Sequence, residues 1–417
     1  MTSSERLRSV LVRQAGTASL FVLLLTAITA RAQTYTILHN FTGQGDGANP
    51  LAGLTMDRAG NFYGTASYGG YSGGGCDGGC GVVFKLSRSG SGWTMTPVYT
   101  FQGGNDGALP NARVVFGPDG SLYGTTYAGG GTGCAAYGII GCGTVFRLRP
   151  PARACQSFLC TWTETVLHRF NGSDGSGPDL GDLVFDQAGN LYGTTLTGGL
   201  SGGGVVYKLS PASGWTETVL WNFTGGSDGG NPTSGVILDN AGNLYGTNLA
   251  GVAYELVPSA SGWTAQSLAP QIFLNQPWGG LVFDPAGNLF GTTLDGGNGN
   301  GSIFELTPGN GEWQYQQIYS LAGYGGGPTD SLILDSEGNL YGTSNVTDPY
   351  GGAGGVFKVM RGGTWTYIEL HSFNTRGDGS IPYGSVVRDA GGNLYGTASM
   401  GGTGCSGGCG VVWEITP

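Results

Sequence analysis

One hexapeptide constrains this chain more than any other feature, because it returns seven times. It reads NFYGTA from Asn61, SLYGTT from Ser121, NLYGTT from Asn190, GNLYGT from Gly242, NLFGTT from Asn288, NLYGTS from Asn339 and NLYGTA from Asn393. The aromatic residues Tyr63, Tyr123, Tyr192, Tyr245, Phe290, Tyr341 and Tyr395 are spaced 45 to 69 residues apart. A fixed motif at this interval marks a repeat architecture, and the length of the unit suits a four-stranded propeller blade.

The copy at 181–223 shows how a unit is built. Gly181 to Asp186 is a short apolar strand (A), and the turn Gln187-Ala188-Gly189 leads into the Tyr192 strand (B). A glycine loop precedes Val205 to Leu209 (C), and a second turn precedes Trp215 to Phe223 (D). Runs rich in aromatic and β-branched residues, bounded by Gly, Pro, Asn or Ser, predict an antiparallel meander. Asp186, with Gly189 and Asn190 after it, reads as an Asp-led turn. Its equivalents are Asp57, Asp239, Asp284, Asp335 and Asp389, while the second copy has Gly117 and Pro118-Asp119. Tyr192 is expected at the blade interface, with Gly193 leaving room for a close neighbour.

The two ends of the chain complement each other. Residues 35–41 (YTILHNF) align with a D strand, and Pro417 follows directly on the C strand Val411 to Ile415. The expected fold is all-β: a single propeller domain over 33–417 with seven four-stranded blades. The last blade, within 384–416, is completed by the N-terminal strand, which removes an open sheet edge.

Residues 1–32 read as a cleaved secretory leader. Arg6, Arg8 and Arg13 precede an apolar run from Ala18 to Ile28, and Ala30-Arg31-Ala32 offers the small residues a signal peptidase reads. The run is short for a membrane span, so no membrane insertion is expected after cleavage. Loss of this leader removes four arginines and one glutamate and takes the formal charge from −10 to −13. So acidic a surface excludes nucleic acid and anionic membranes as partners. The 8 cysteines fall into close pairs: Cys76 with Cys80, Cys134 with Cys142, Cys155 with Cys160 and Cys405 with Cys409. In an exported chain such pairs read as loop-closing disulfides. The rival is zinc held by the CDGGC and CSGGC thiolates.

Strand order places the B-to-C and D-to-A loops on one rim, with Cys155 and Cys160 on the opposite side. Asp46, Asp106, Asp174, Asp228 and Asp378, each in an Asp-Gly step, occupy the D-to-A loops of this rim. Beside free loop carbonyls they are a ligand set for calcium. Asp-Gly is also a strong turn dipeptide, and turn capping is the preferred reading. Tyr68, Tyr71, Tyr127 and Tyr137 lie in the B-to-C loops and are candidates for a glycan platform. Blades 4 and 5 are degenerate, with Pro270 to Pro277 in place of an Asp-Gly loop and Gly251 closely following Leu249, which suggests a notch.

Catalytic signatures are scarce. His39, His168 and His371 share one repeat position with Tyr99 and Trp221 and therefore read as packing residues. No unrepeated acidic pair stands out: Asp179 and Asp182 are close in sequence, but nothing marks them as coupled. There is no nucleophile elbow, phosphate loop or HExxH helix.

The ordered segments, an aromatic-Phe strand end, G-x-D-G-x-x-P, D-x-x-G-N-L-Y-G-T-T, a Gly-Gly loop and G-V-V-F-K-L, resemble the bacterial GloVer (Gloeo_Verruco) tandem repeat of the choice-of-anchor exported proteins. The resemblance spans essentially the whole mature chain. It implies an exported or surface protein of no established activity, often with an anchoring segment after the repeats. Here the repeats run to Pro417, and a free periplasmic or extracellular protein and a surface-attached one both stay open. A non-catalytic binding or scaffold module is expected, with a glycan or an envelope protein as partner and no cofactor other than calcium. The alternatives are a polysaccharide hydrolase or lyase and a structural envelope component.

Overall fold

The computed structural model describes residues 33–73, 75–131, 133–151, 162–269, 276–295, 301–321, 327–345, 353–374 and 377–417. The leader read from 1–32 and most of the Pro270 to Pro277 segment lie outside them. Cys155 and Cys160 lie outside them too, so the disulfide expected between Cys155 and Cys160 is not among the bridges the structure describes. Among the described residues the strands form seven four-stranded antiparallel sheets plus one two-stranded hairpin. This is a seven-bladed β-propeller. Blade 3 shows the unit: A is Val184–Phe185, B is Leu191–Thr195, C is Val205–Ser210 and D is Thr216–Asn222. In the seventh blade Thr34–Asn40 supplies D and pairs antiparallel with Val411–Thr416, so the first strand completes the last sheet. Gln33–Pro417 is one compact unit.

The core lies between sheets. Tyr192, Val206 and Phe223 of blade 3 pack against Val236, Leu244 and Tyr254 of blade 4, and similar clusters join other neighbouring blades. The motif aromatic is the residue that crosses the seam. Tyr123 meets Phe185 edge-on at 4.9 Å and Trp215 at 5.6 Å, both from the next blade. Its glycine has a different neighbour. A Cβ at Gly193 would strike the Tyr207 ring of the same blade, so only glycine lets that C-strand aromatic lie across the B strand.

The threonine that ends the YGT triplet explains the rest of the motif. Its hydroxyl donates to a backbone carbonyl at the start of the next blade's A strand: Thr65 to Ala112, Thr194 to Ser234, Thr247 to Gly279, Thr292 to Asp330, Thr343 to Gly384 and Thr397 to Ala52, at 2.8 to 3.4 Å. The last of these bonds closes the ring. Thr125 is the exception, a buried hydroxyl with no partner. The A segment it faces is one residue longer, with four steps from Pro178 to Asp182 where Pro110 to Arg113 takes three.

The Asp-led turns are as the sequence suggests. Asp186 Oδ1 accepts from the Asn190 amide at 2.8 Å, and Oδ2 accepts from Asn190 Nδ2 at 2.7 Å and from the Tyr192 hydroxyl at 3.0 Å. The D-to-A and B-to-C loops do share a rim, bonded to one another at Ala48/Tyr68, Ser176/Thr197 and Ser380/Met400. Cys76–Cys80, Cys134–Cys142 and Cys405–Cys409 are disulfides, so the thiolate-zinc alternative falls: each sulfur is already bonded to its pair-mate. They also serve the seams. The carbonyls of Cys80, Cys142 and Cys409 accept from Leu109, Gly177 and Asn49 of the following blade at 2.8 to 2.9 Å. Such bridges persist in oxidising compartments, which marks an exported chain. Among the described residues no helix is long and apolar enough to cross a membrane.

A buried hydrogen bond contributes about 1 kcal/mol net, and more is lost when its acceptor is left bare. Thr194→Val is therefore expected to cost about 1–2 kcal/mol in urea unfolding, whereas Thr125→Val, which removes a buried hydroxyl without a partner, is neutral or stabilising.

Candidate functional site

The A strands converge on the propeller axis, where their first residues come close enough to select small side chains. At Gly235 an added Cβ would strike the Asp182 carbonyl of the neighbouring blade. At equivalent places the seven blades carry Gly53, Arg113, Asp182, Gly235, Gly280, Ser331 and Ser385. Five are glycine or serine, and two adjacent blades break the pattern with opposite charges.

Those charges meet. Arg113 Nη2 donates to Asp182 Oδ2, and each side chain keeps 28% of its surface exposed. Asp330 joins them from blade 6, with its carboxylate accepting from the backbone amides of Ser331, at 2.6 Å, and of Ser385. Beside them Asn111 Nδ2 donates to Asp179 Oδ1 at 2.8 Å, again bridging blades 2 and 3. The cluster borders a cavity of about 280 Å³ on the axis, lined also by Trp278, Leu180 and Thr329. Two donors there have no partner, Arg113 Nε and the indole Nε1 of Trp278.

Asp182, and then Asp330, hold the Arg113 guanidinium charged beyond its ordinary range despite its enclosure. Burial, followed by the charge of Asp182, pushes the Asp330 carboxyl well above the usual carboxylate range, against the pull of its two amides and of Arg113. Burial likewise raises Asp179.

The rim residues singled out from sequence are not gathered in this way. Each Asp-Gly aspartate is engaged by its own turn. Asp46 accepts from the Thr42 amide at 2.9 Å and His39 Nε2 at 3.1 Å, and Asp106 from the Gln102 amide at 2.9 Å and the Tyr99 hydroxyl at 3.0 Å. Asp174 bonds Asn171 and His168, Asp228 bonds Thr224 and Trp221, and Asp378 bonds Asn374 and His371. The histidine position is thus a hydrogen-bond donor to the loop aspartate as well as a packing ring, and Tyr and Trp fill it because they also donate. Among the described residues no two of the five aspartates fall in one group of ligand atoms; only Asp174 joins such a group, with His168 and Glu217.

The four tyrosines divide. Tyr68 and Tyr127 are half-buried and packed into the core between blades 1 and 2. Tyr71 is exposed, and Tyr137 keeps 77% of its surface at the tip of the hairpin Ala135–Ala136/Ile139–Ile140. At the degenerate blade 4 an open groove of about 460 Å³ runs between Trp221, Asp228 and Ala265.

The sequence reading missed Arg113, Asp330 and Trp278 and set aside Asp182. Aligning the residues after Pro50, Pro110, Pro178, Pro232, Pro277, Pro328 and Pro382 isolates the charges among small residues. What alignment does not show is that blade 6 reaches blades 2 and 3 across the axis.

Comparison with known proteins settles the family. The Gloeobacter/Verrucomicrobia repeat matches residues 24–256 and 248–417. The chain belongs to this repeat family. No curated protein matches the chain by sequence. Among solved structures, the extracellular domain of the putative hybrid two-component system BT4673 from B. thetaiotaomicron is similar in fold, with a TM-score of 0.54 and 15% identity over 91% of this chain. This chain spans 39% of that one. A fungal alcohol oxidase of the AA5 family in complex with copper matches at a TM-score of 0.58 and 12% identity, covering 92% of this chain and 76% of its own. Both likenesses concern the propeller fold alone.

A carboxyl raised by folding holds its proton where the unfolded chain has lost it. Its contribution to stability is full below about pH 4, the unfolded value, and is lost as pH rises through the folded value. Wild type should therefore lose melting temperature relative to Asp330→Asn as pH rises from 4 towards neutrality. The comparison cancels His39 and His371, which burial lowers and which act in the opposite sense. A difference in melting temperature that stays constant from pH 4 to 8 contradicts the assignment.

Proposed function

We propose that this GloVer-repeat protein is an exported, non-catalytic binding module that holds a hydroxyl-rich ligand, a saccharide unit of a glycan, in its axial pocket. The observation that carries the reading is the convergence of Arg113, Asp182 and Asp330 from three blades on one cavity, with Arg113 Nε and Trp278 Nε1 left without partners. Ligand pockets combine apolar lining with a few convergent polar groups. Here aspartates accept from hydroxyls while the guanidinium and indole donate. The acidic lining and the net charge of −10 disfavour phosphorylated ligands. The pocket is lined by the A strands and the residues just before them, where the D-to-A loops enter. The protein is expected to be secreted, periplasmic or extracellular.

Two converging carboxylates also favour a second reading, hydrolysis of a glycosidic bond. It is the weaker one, because the Asp330 carboxylate is occupied by the Ser331 and Ser385 amides and Asp182 by Arg113. A carboxylate held in this way can still accept a hydroxyl's hydrogen bond, but it is poorly placed to give or take a proton in the transition state.

A glycan array followed by titration calorimetry tests the proposal. A hit is expected whose affinity falls at least about tenfold in Arg113→Gln, a loss of about 1.4 kcal/mol, and in Trp278→Phe, and is unchanged in Tyr137→Ala. Affinity lost in Tyr137→Ala alone would move the site to the rim hairpin. Reducing-sugar release that disappears in Asp182→Asn would favour the enzyme.

A further inference from the structure

Each blade carries, in its D strand, a residue that faces the preceding blade across a seam. The register identifies it: Tyr35 opposite Ile415, Met95 opposite Leu86, Glu164 opposite Leu148, Glu217 opposite Leu209, Ala265 opposite Leu256, Tyr315 opposite Leu306 and Tyr367 opposite Val359. Three blades offer a histidine bonded to its loop aspartate: His39–Asp46 at 3.1 Å, and His168–Asp174 and His371–Asp378 at 3.2 Å. Alone, this pair is a turn device. What differs is the residue the next blade brings to it. His371 is covered by the Tyr35 ring, stacked at 3.8 Å, and the strand position following His39 is Met95. At His168 the equivalent residue is Glu217.

His168, Asp174 and Glu217 present one nitrogen and two carboxylate oxygens that all lie within 4.8 Å of one another, and they are the only such group among the described residues. A second observation points the same way: Glu217 Oε1 is buried and has no hydrogen-bond partner. Leaving a carboxylate oxygen bare costs more than the net value of a bond, so such an atom calls for an occupant. The aspartate is already held as an outer-shell partner would hold it, with Asn171 donating from its amide at 2.9 Å and from Nδ2 at 2.8 Å. Glu164, the only other glutamate at this position, also has a buried Oε1 without a partner, but it faces Tyr99 and Asp106, where no imidazole is present to complete the set.

We infer that His168, Asp174 and Glu217 form a divalent transition-metal site, suited to zinc, that clips blade 2 to blade 3. One imidazole and two carboxylates with an open fourth position make a tetrahedral zinc set, whereas calcium takes six or more oxygens. Zinc takes the place of the Nε2 proton that His168 gives to Asp174, which is released to solvent, and ligands about 2.0–2.2 Å from zinc lie roughly 3.3 Å apart, so the trio otherwise needs only a small inward shift. The seam is the one where Thr125 lacks its interblade bond, and a metal clip would supply a link there. The inference is independent of the axial pocket.

The test uses the mature chain without a histidine tag, stripped with EDTA and dialysed, and titrated with zinc by calorimetry. One equivalent should bind, and zinc should raise the melting temperature. Glu217→Gln should weaken binding at least about tenfold. His168→Tyr, which keeps a donor to the aspartate as Tyr99 does, should abolish it, while His39→Tyr leaves it unchanged. Melting in EDTA confirms that each variant is folded. Absence of zinc binding, binding of calcium in preference to zinc, or a zinc affinity equal in wild type and Glu217→Gln overturns the assignment.

Discussion

The bond from six of the seven motif threonines to a carbonyl at the start of the next blade is the interaction on which this architecture turns. A blade alone is a four-stranded sheet with two apolar faces, and it becomes stable only when both faces are covered. Ring packing across the seams supplies the area, with Tyr123 against Phe185 and Trp215 as the example. Area alone does not set register. The hydroxyl bond does, because it joins one atom of a B strand to one atom of the neighbouring A strand. When the last such bond runs from Thr397 to Ala52, and Thr34–Asn40 pairs with Val411–Thr416, the ring is closed and no seam between blades is left open.

This explains where the molecule has freedom to vary. Residues making the seam are repeated because six of the seven seams make the same bond. At the axis only the blades' first residues meet, and any blade can place a larger group there if its neighbours stay small. Blades 2 and 3 use that freedom. They carry Arg113 and Asp182, the Asn111–Asp179 bridge, and an extra residue that leaves Thr125 without its acceptor. The same pair of blades brings Glu217 to His168 at the outer edge. The repeat therefore gives up regular bonding at one seam, and the unusual chemistry gathers there.

Most of the fold was legible in the sequence. The hexapeptide, the turn aspartates and the matching chain ends lead to seven blades and their closure, because local turn chemistry and alternation do not depend on distant contacts. The three described disulfides were legible for the same reason, being closed within short loops. The site was not. Asp46 and its equivalents attracted notice because they recur, and recurrence turned out to mean a turn bond. Arg113 and Asp330 are 217 positions apart in the chain and share no motif, so only closure of the ring brings them together. His168 reads in the sequence as a packing ring interchangeable with Tyr99 and Trp221; its bond to Asp174 needs the folded loop, and its neighbour across the seam is set by register between blades, which no single repeat encodes.

The measurement that bears most directly on this account is amide hydrogen exchange with and without a bound saccharide. If binding resides where the repeat is broken at the axis, protection appears together in segments 111–114, 181–184 and 329–332, from three separate blades, and not in the hairpin at 135–140. Protection confined to that hairpin, or to the loop bearing Tyr71, would contradict it.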